Sequence, residues 1–180
     1  MSREKEKKRR KWLLLLLLLL LLLLLAGVGF GAWALWGRST PPVLEPDYAP
    51  KEIEAKAEPI GDEGEPKLEA PQGGGAVSLT YSKEVMVSLS EKSVSLLFAN
   101  PSKSNQDVVL LLQIEDAVLF RSGRLTPGNR VTALPLAEGV ESRLLPGGYE
   151  GKFIVLYYDS VSGEKAVVQT EIPVRVTVAD

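Results

Sequence analysis

Histidine and cysteine, the residue types that most often carry enzymatic chemistry, do not occur in this 180-residue chain. Their absence removes the commonest general base, the thiolate nucleophile, the usual activator of a serine, the disulfide framework and any Cys-based zinc site. What remains is carboxylate chemistry. Glu115 with Asp116 and Glu138 with Glu141 are close acid pairs that could share acid/base work, the first of them also as calcium ligands; Asp159 and Glu164 flank the "DSVSGE" turn, and Asp62, Glu63 and Glu65 form a further cluster that could attract calcium. Adjacent acids between two strands most often make a solvated turn, and an Asx turn accounts for Asp159. The Asp62 cluster has no loop of fixed geometry around it, so loose solvation is its ordinary state. No serine sits in G-x-S-x-G, and the "GVGFG" of residues 27–31 falls inside an apolar run where it cannot cradle a pyrophosphate. The sequence therefore predicts no catalytic, cofactor or metal site, and a protein that is not an enzyme.

The elements that would position such residues begin with a segment of another kind. Seven cationic residues, counted from Arg3 and including Lys7, Lys8, Arg9, Arg10 and Lys11, precede thirteen consecutive leucines, and residues 13–36 carry no charge. At ~1.5 Å per residue a helix of that length covers about 36 Å, more than a ~30 Å hydrocarbon core needs. A cleavable signal usually has an apolar stretch of only about 7–15 residues, although Ala32–Ala34 would suit a cleavage site. The expectation is a permanent single-pass transmembrane helix over 13–36, with Trp12 at the near interface and Trp33 and Trp36 at the far one. The basic residues of segment 1–12 hold the N-terminus in the cytoplasm by the positive-inside rule, which places the rest of the chain outside. Beside a membrane span this basic run is a topology signal with a liking for anionic lipid, not a nucleic-acid patch.

Residues 37–75 read as a tether. They contain prolines 41, 42, 46, 50, 59, 66 and 71, and between Ser39 and Gly75 nine carboxylates face three lysines. Too few apolar side chains are present to offset the entropy of ordering, so a disordered, partly extended linker is expected.

At Ala76 the pattern changes to period two. "AVSLTYS" turns Val77, Leu79 and Tyr81 inward; "EVMVSLS" repeats this with Val85, Val87 and Leu89; "SVSLLFANP" does so with Val94, Leu96 and Phe98. "QDVVLLLQI" is apolar on both faces, as a central strand should be, and "NPSKSN", "TPGN", "LPGG" and "DSVSGE" are turn signals. "LPLAEGVESRL" could give one helical turn or two, and Pro173 belongs at an edge or a bulge. Residues 76–180 are thus expected to form an all-β, antiparallel, immunoglobulin-like sandwich.

"LLPGGYEGKFIVLYY" places Tyr149 just after a Pro-Gly-Gly turn and before an apolar strand, which looks like the tyrosine corner of immunoglobulin-like sandwiches, with Gly151 where antibody domains carry a cysteine. Alternation buries one of Tyr157 and Tyr158 and turns the other outward, where it could anchor a partner; core packing and cross-strand pairing compete with that role. The run from "LLFANPSKSNQDVV" to "GKFIVLYY" resembles uncharacterised single-span exported proteins of Gram-positive (Firmicutes) bacteria, in which a Pro/acidic linker precedes a small β-sandwich. That resemblance implies an architecture and a location, without catalytic residues. The function expected is a membrane-anchored, non-catalytic interaction or structural module of the cell envelope, joined to the bilayer through residues 13–36 and to a protein partner. An extracellular protease inhibitor, or a histidine-free hydrolase acting through an inter-strand loop such as "NPSKSNQD", is the alternative.

Overall fold

The structure, a computed structural model, describes residues 46–180. The expected span over 13–36, with Trp12, Trp33, Trp36 and the Lys7–Lys11 run, lies outside them. Nine strands form among the described residues: β1 (Glu58–Pro59), β2 (Thr80–Tyr81), β3 (Glu84–Ser88), β4 (Ser93–Asn100), β5 (Gln106–Ile114), β6 (Ala117–Arg121), β7 (Asn129–Pro135), β8 (Gly147–Asp159) and β9 (Lys165–Ala179). All belong to one sheet in the order β1-β7-β4-β3-β9-β8-β5-β6, with β2 pairing β4 off that path. The described part is all-β. Where the sequence allows a helical turn, residues 137–145 make one, in which Arg143 and Leu144 donate to Val140 O.

The alternating residues point as their spacing requires. Val85 and Val87 of β3, Val94, Leu96 and Phe98 of β4, and Ile172, Val174, Val176 and Val178 of β9 line a single interior. Phe98 and Phe153 meet there edge to face, with ring centroids 5.9 Å apart and planes at 74°. β5 runs between β8 and β6, and both of its faces are buried: Val108, Leu110, Leu112 and Ile114 enter the interior, while Val109 and Leu111 join a second cluster on the outer face. The sheet curls. Ala137 N, just past the end of β7, donates to Leu119 O of β6 at 2.7 Å, so the two margins of the sheet draw together.

One pairing departs from an antiparallel reading: β3 lies parallel to β9, in register from Glu84↔Arg175 to Ser88↔Ala179. A parallel neighbour needs only a long crossover, which the many residues between β3 and β9 provide. Arg175 N donates to Lys83 O, so its alternate neighbour Pro173 also faces that side of β9, beyond the start of β3, where no ladder donor is required.

The larger departure concerns the linker. Its described part, residues 46–75, is laid along the domain as a strap instead of hanging free. Lys165 N donates to Asp47 O and Ala49 N to Gly163 O, each at 2.8 Å; Arg124 N donates to Glu52 O and Glu54 N to Arg124 O, each at 3.0 Å. β1 then pairs with β7 at Glu58↔Arg130 and Pro59↔Asn129, and Leu68 N reaches Lys103 O. Composition underestimates this order because it counts apolar side chains, whereas the strap is held by main-chain bonds and by its polar side chains Glu54, Asp62 and Lys67.

Truncating the interior pair tests the core assignment. Phe98→Ala is expected to destabilise the domain by about 3–5 kcal/mol, read from urea denaturation followed by circular dichroism.

Candidate functional site

The strap covers the outer face of β5 and β8 with Ala49, and of the buried polar side chains Asn100, Ser104, Asp107 and Ser122, Asp107 stands on that face. Val109, Leu111, Ile154, Leu156 and Tyr158 form the apolar part, packed under Ala49 of the strap and Val118 of β6. Tyr158 directs its hydroxyl to Pro46 O at 3.4 Å. Asp107 lies opposite Tyr158 in the β5–β8 ladder, and its side chain is only 3% exposed.

Arg124 joins this face to the strap. Its backbone bonds Glu52 and Glu54, while its guanidinium Nε stands 3.4 Å from Asp107 Oδ2. Gly123, next to it, donates to Glu54 Oε2 at 2.6 Å, and a Cβ on Gly123 would lie 3.0 Å from Glu54 Cα, so the close approach of the strap requires glycine. Burial pushes the Asp107 carboxyl above the usual carboxylate range, against the pull of Arg124, and the charge of Asp159 pushes the same way as burial. Asn100, fully buried, ties the start of β5 to the β6–β7 connection by donating from Nδ2 to Gln106 O and Leu125 O at 3.0 and 3.1 Å. Ser122 Oγ accepts from Leu110 N at 2.9 Å and donates to Gly123 O.

Among the acids singled out in the sequence, Glu141, Asp159 and Asp62 have partners for their side chains. Glu141 accepts from Lys92 Nζ at 2.8 Å, and that bond holds the Glu141 carboxyl below its ordinary range and the Lys92 ammonium above its own. Asp159 accepts from the N–H groups of Ser162 and Val161, which lower its pKa and shape the β8–β9 turn. Glu115 and Asp116 are the two residues between the paired ends of β5 and β6, with Glu115 at φ 50° and its carbonyl accepting from Gln113 Nε2. They line a cavity of about 260 Å³ with Arg143, Leu144 and Tyr149. Asp62 accepts from Ser102 N at 2.9 Å, and Lys67 Nζ donates to Ser102 O and Ser104 O, so the "NPSKSNQD" loop is pinned to the strap. No group of three or more Asp and Glu side chains gathers as a metal site among the described residues.

Tyr149 donates its hydroxyl to Leu145 O at 2.8 Å, across the turn that leads into β8. Tyr157 and Tyr158 require a correction. Neither is turned outward: Tyr157 is 8% exposed and Tyr158 fully buried. Alternation does send them to opposite faces, but both faces of β8 are covered, one by the curled interior and the other by the strapped cluster. Tyr157 donates to Thr170 Oγ1 at 2.7 Å, and burial raises its pKa in spite of that bond. As they stand, these two tyrosines are packing residues and cannot anchor a partner from the surface. Sequence reasoning missed Asp107 and Arg124, although an aspartate heading a doubly apolar strand was a legible signal for a buried charge in need of a cation.

No family model and no curated protein matches the chain. Among solved structures, the major subunit of aggregative adherence fimbriae type I, AggA, from Escherichia coli aligns over 58% of this chain and 95% of its own, at 16% identity and a TM-score of 0.28. A likeness at that score carries no argument about this chain.

The Asp107–Arg124 contact gives a signed prediction. A carboxyl whose pKa is raised by folding costs nothing while both states are protonated; the cost begins as the pH rises past its unfolded value and is complete above its folded one. Arg124→Leu removes the opposing attraction. The variant is expected to lose about 2–3 kcal/mol at neutral pH, less than for a fully enclosed pair because Arg124 is partly exposed. The gap to the parent should narrow as the pH is lowered through the acid range, measured by urea denaturation at a series of pH values.

Proposed function

We propose that this chain is a membrane-anchored, extracytoplasmic β module that works by non-covalent contact with another envelope protein, as an interaction or structural part and not as an enzyme. The observation that carries the reading is what the polar side chains do. Asp107, Arg124, Asn100 and Ser122 are spent on fixing the strap and the strand ends, and the loop Pro101–Asn105 is tied down by Asp62 and Lys67. That pinning counts against an inhibitory or hydrolytic loop, which would need reactive groups presented to a substrate. The apolar run over 13–36 and the cations before it support anchoring with the domain outside, and the resemblance to exported Firmicutes proteins implies an envelope of the Gram-positive kind. The bond from Tyr149 to Leu145 supports reading the curl as immunoglobulin-like.

Two measurements on intact cells test the proposal. Protease added outside is expected to degrade the domain and leave a short membrane-embedded fragment, and an amine crosslinker is expected to give a discrete heavier adduct. Protection of the domain from that protease contradicts the orientation. Turnover of a substrate that is lost on carboxylate substitution contradicts the non-catalytic assignment.

A further inference from the structure

Four large apolar side chains stand in solvent at one end of the domain. Tyr48 is 61% exposed, Val161 95%, Val168 68%, and Val167 fully exposed. They are neighbours: Tyr48 bridges Glu164, Val161 tips the turn between β8 and β9, and Val167 and Val168 follow Lys165, which pairs with Tyr158. A cavity of about 540 Å³ runs beside Ser162, Glu164 and Lys165 to Val168, with Gly73–Gly75 on its other wall. The turn is braced. Asp159 Oδ1 accepts from Val161 N at 2.9 Å and Ser162 N at 2.7 Å, Gly163 N returns to Asp159 O, and Ser160 Oγ donates to Asn105 O. Val161 is therefore presented to water by a fixed geometry, where a soluble turn would carry a polar residue.

This is also the end at which the chain arrives. Asp47 and Ala49 bond the same turn at Lys165 and Gly163. Only nine residues, 37–45, separate Trp36 from Pro46. However they are arranged, at ~3.5 Å each they extend no farther than about 32 Å. The start of β8 lies about 40 Å from that turn along the strand, and Glu138 stands toward that end, near Lys92 of the β3–β4 turn. The strap thus shortens the 39-residue tether read from the sequence to a leash shorter than the domain itself.

We propose that Tyr48, Val161, Val167 and Val168 form a docking surface for the outer face of the lipid bilayer. The inference rests on the membrane-anchored reading of residues 13–36. Tyrosine suits the membrane interface, and three exposed valines supply apolar area to insert among headgroups. Asp47, Asp159 and Glu164 outnumber Lys165 around the patch, so the contact is apolar and gains nothing from anionic lipid.

The cysteine-free chain makes the test direct. Val161→Cys, Val167→Cys and, as the distant control, Glu138→Cys are each labelled with an environment-sensitive fluorophore in the full chain, reconstituted in phosphatidylcholine vesicles containing nitroxide-bearing lipid. The two hairpin labels are expected to shift to the blue and to be quenched by the nitroxide lipid, while the Glu138 label does neither; added anionic lipid should not increase the shift. If the chain floats with the vesicles but the hairpin labels behave like the Glu138 label, docking is overturned and anchoring stands. A blue shift without lipid quenching identifies a second copy or another protein surface as the occupant and overturns docking as well. If the chain does not float at all, the anchored reading falls and takes the docking surface with it.

Discussion

Backbone amides and carbonyls between Asp47 and Ile60 find their partners on three separate parts of the domain: the β8–β9 turn, Arg124, and the margin of β7 with Gly128. Everything distinctive in the structure depends on that pairing. It closes the outer face of β5 and β8, encloses Asp107, and sets where the chain enters the domain. Main-chain bonds of this kind each contribute about 1 kcal/mol net, so the strap is held by their number and by the apolar area that Ala49 helps to cover. A buried charge sits at the junction, and one arginine serves both partners, through its backbone for the strap and through its guanidinium for Asp107.

The strands were legible because alternation is imposed by the pleat itself. Val85 and Val87, or Val94, Leu96 and Phe98, can satisfy a one-sided interior only in that order, and the doubly apolar β5 could only be a strand covered on both sides. The strap was not legible. Its prolines and acids describe a segment unable to build a core, which is correct, but main-chain bonds leave no trace in side-chain composition, and nothing local marks Glu54 and Asp62 as the acids that bond the domain. The same omission misplaced Tyr158: with the outer face of β8 taken as open, one tyrosine had to be exposed, and the strap removes that necessity. The parallel match of β3 with β9 was equally hidden, since period two fixes which face a side chain takes and not which neighbour its strand meets.

Three of the side chains that drew attention as potential chemistry have become architecture. Asp159 shapes a turn, Glu141 answers Lys92, and Asp62 holds the β4–β5 loop through Ser102. The pair that matters most, Asp107 with Arg124, joins residues far enough apart in the chain that no local motif announces it. Its lowered solvation is a cost to the fold that the strap imposes and Arg124 offsets.

Hydrogen exchange of the Ala49, Glu54 and Ile60 amides in the full chain tests the strap most directly. A strap integral to the domain requires these three to be strongly slowed, in company with the amides of β5 and β8, and to be released together when Arg124 is replaced. Exchange at the rate of unstructured chain, with β5 and β8 still protected, would contradict it.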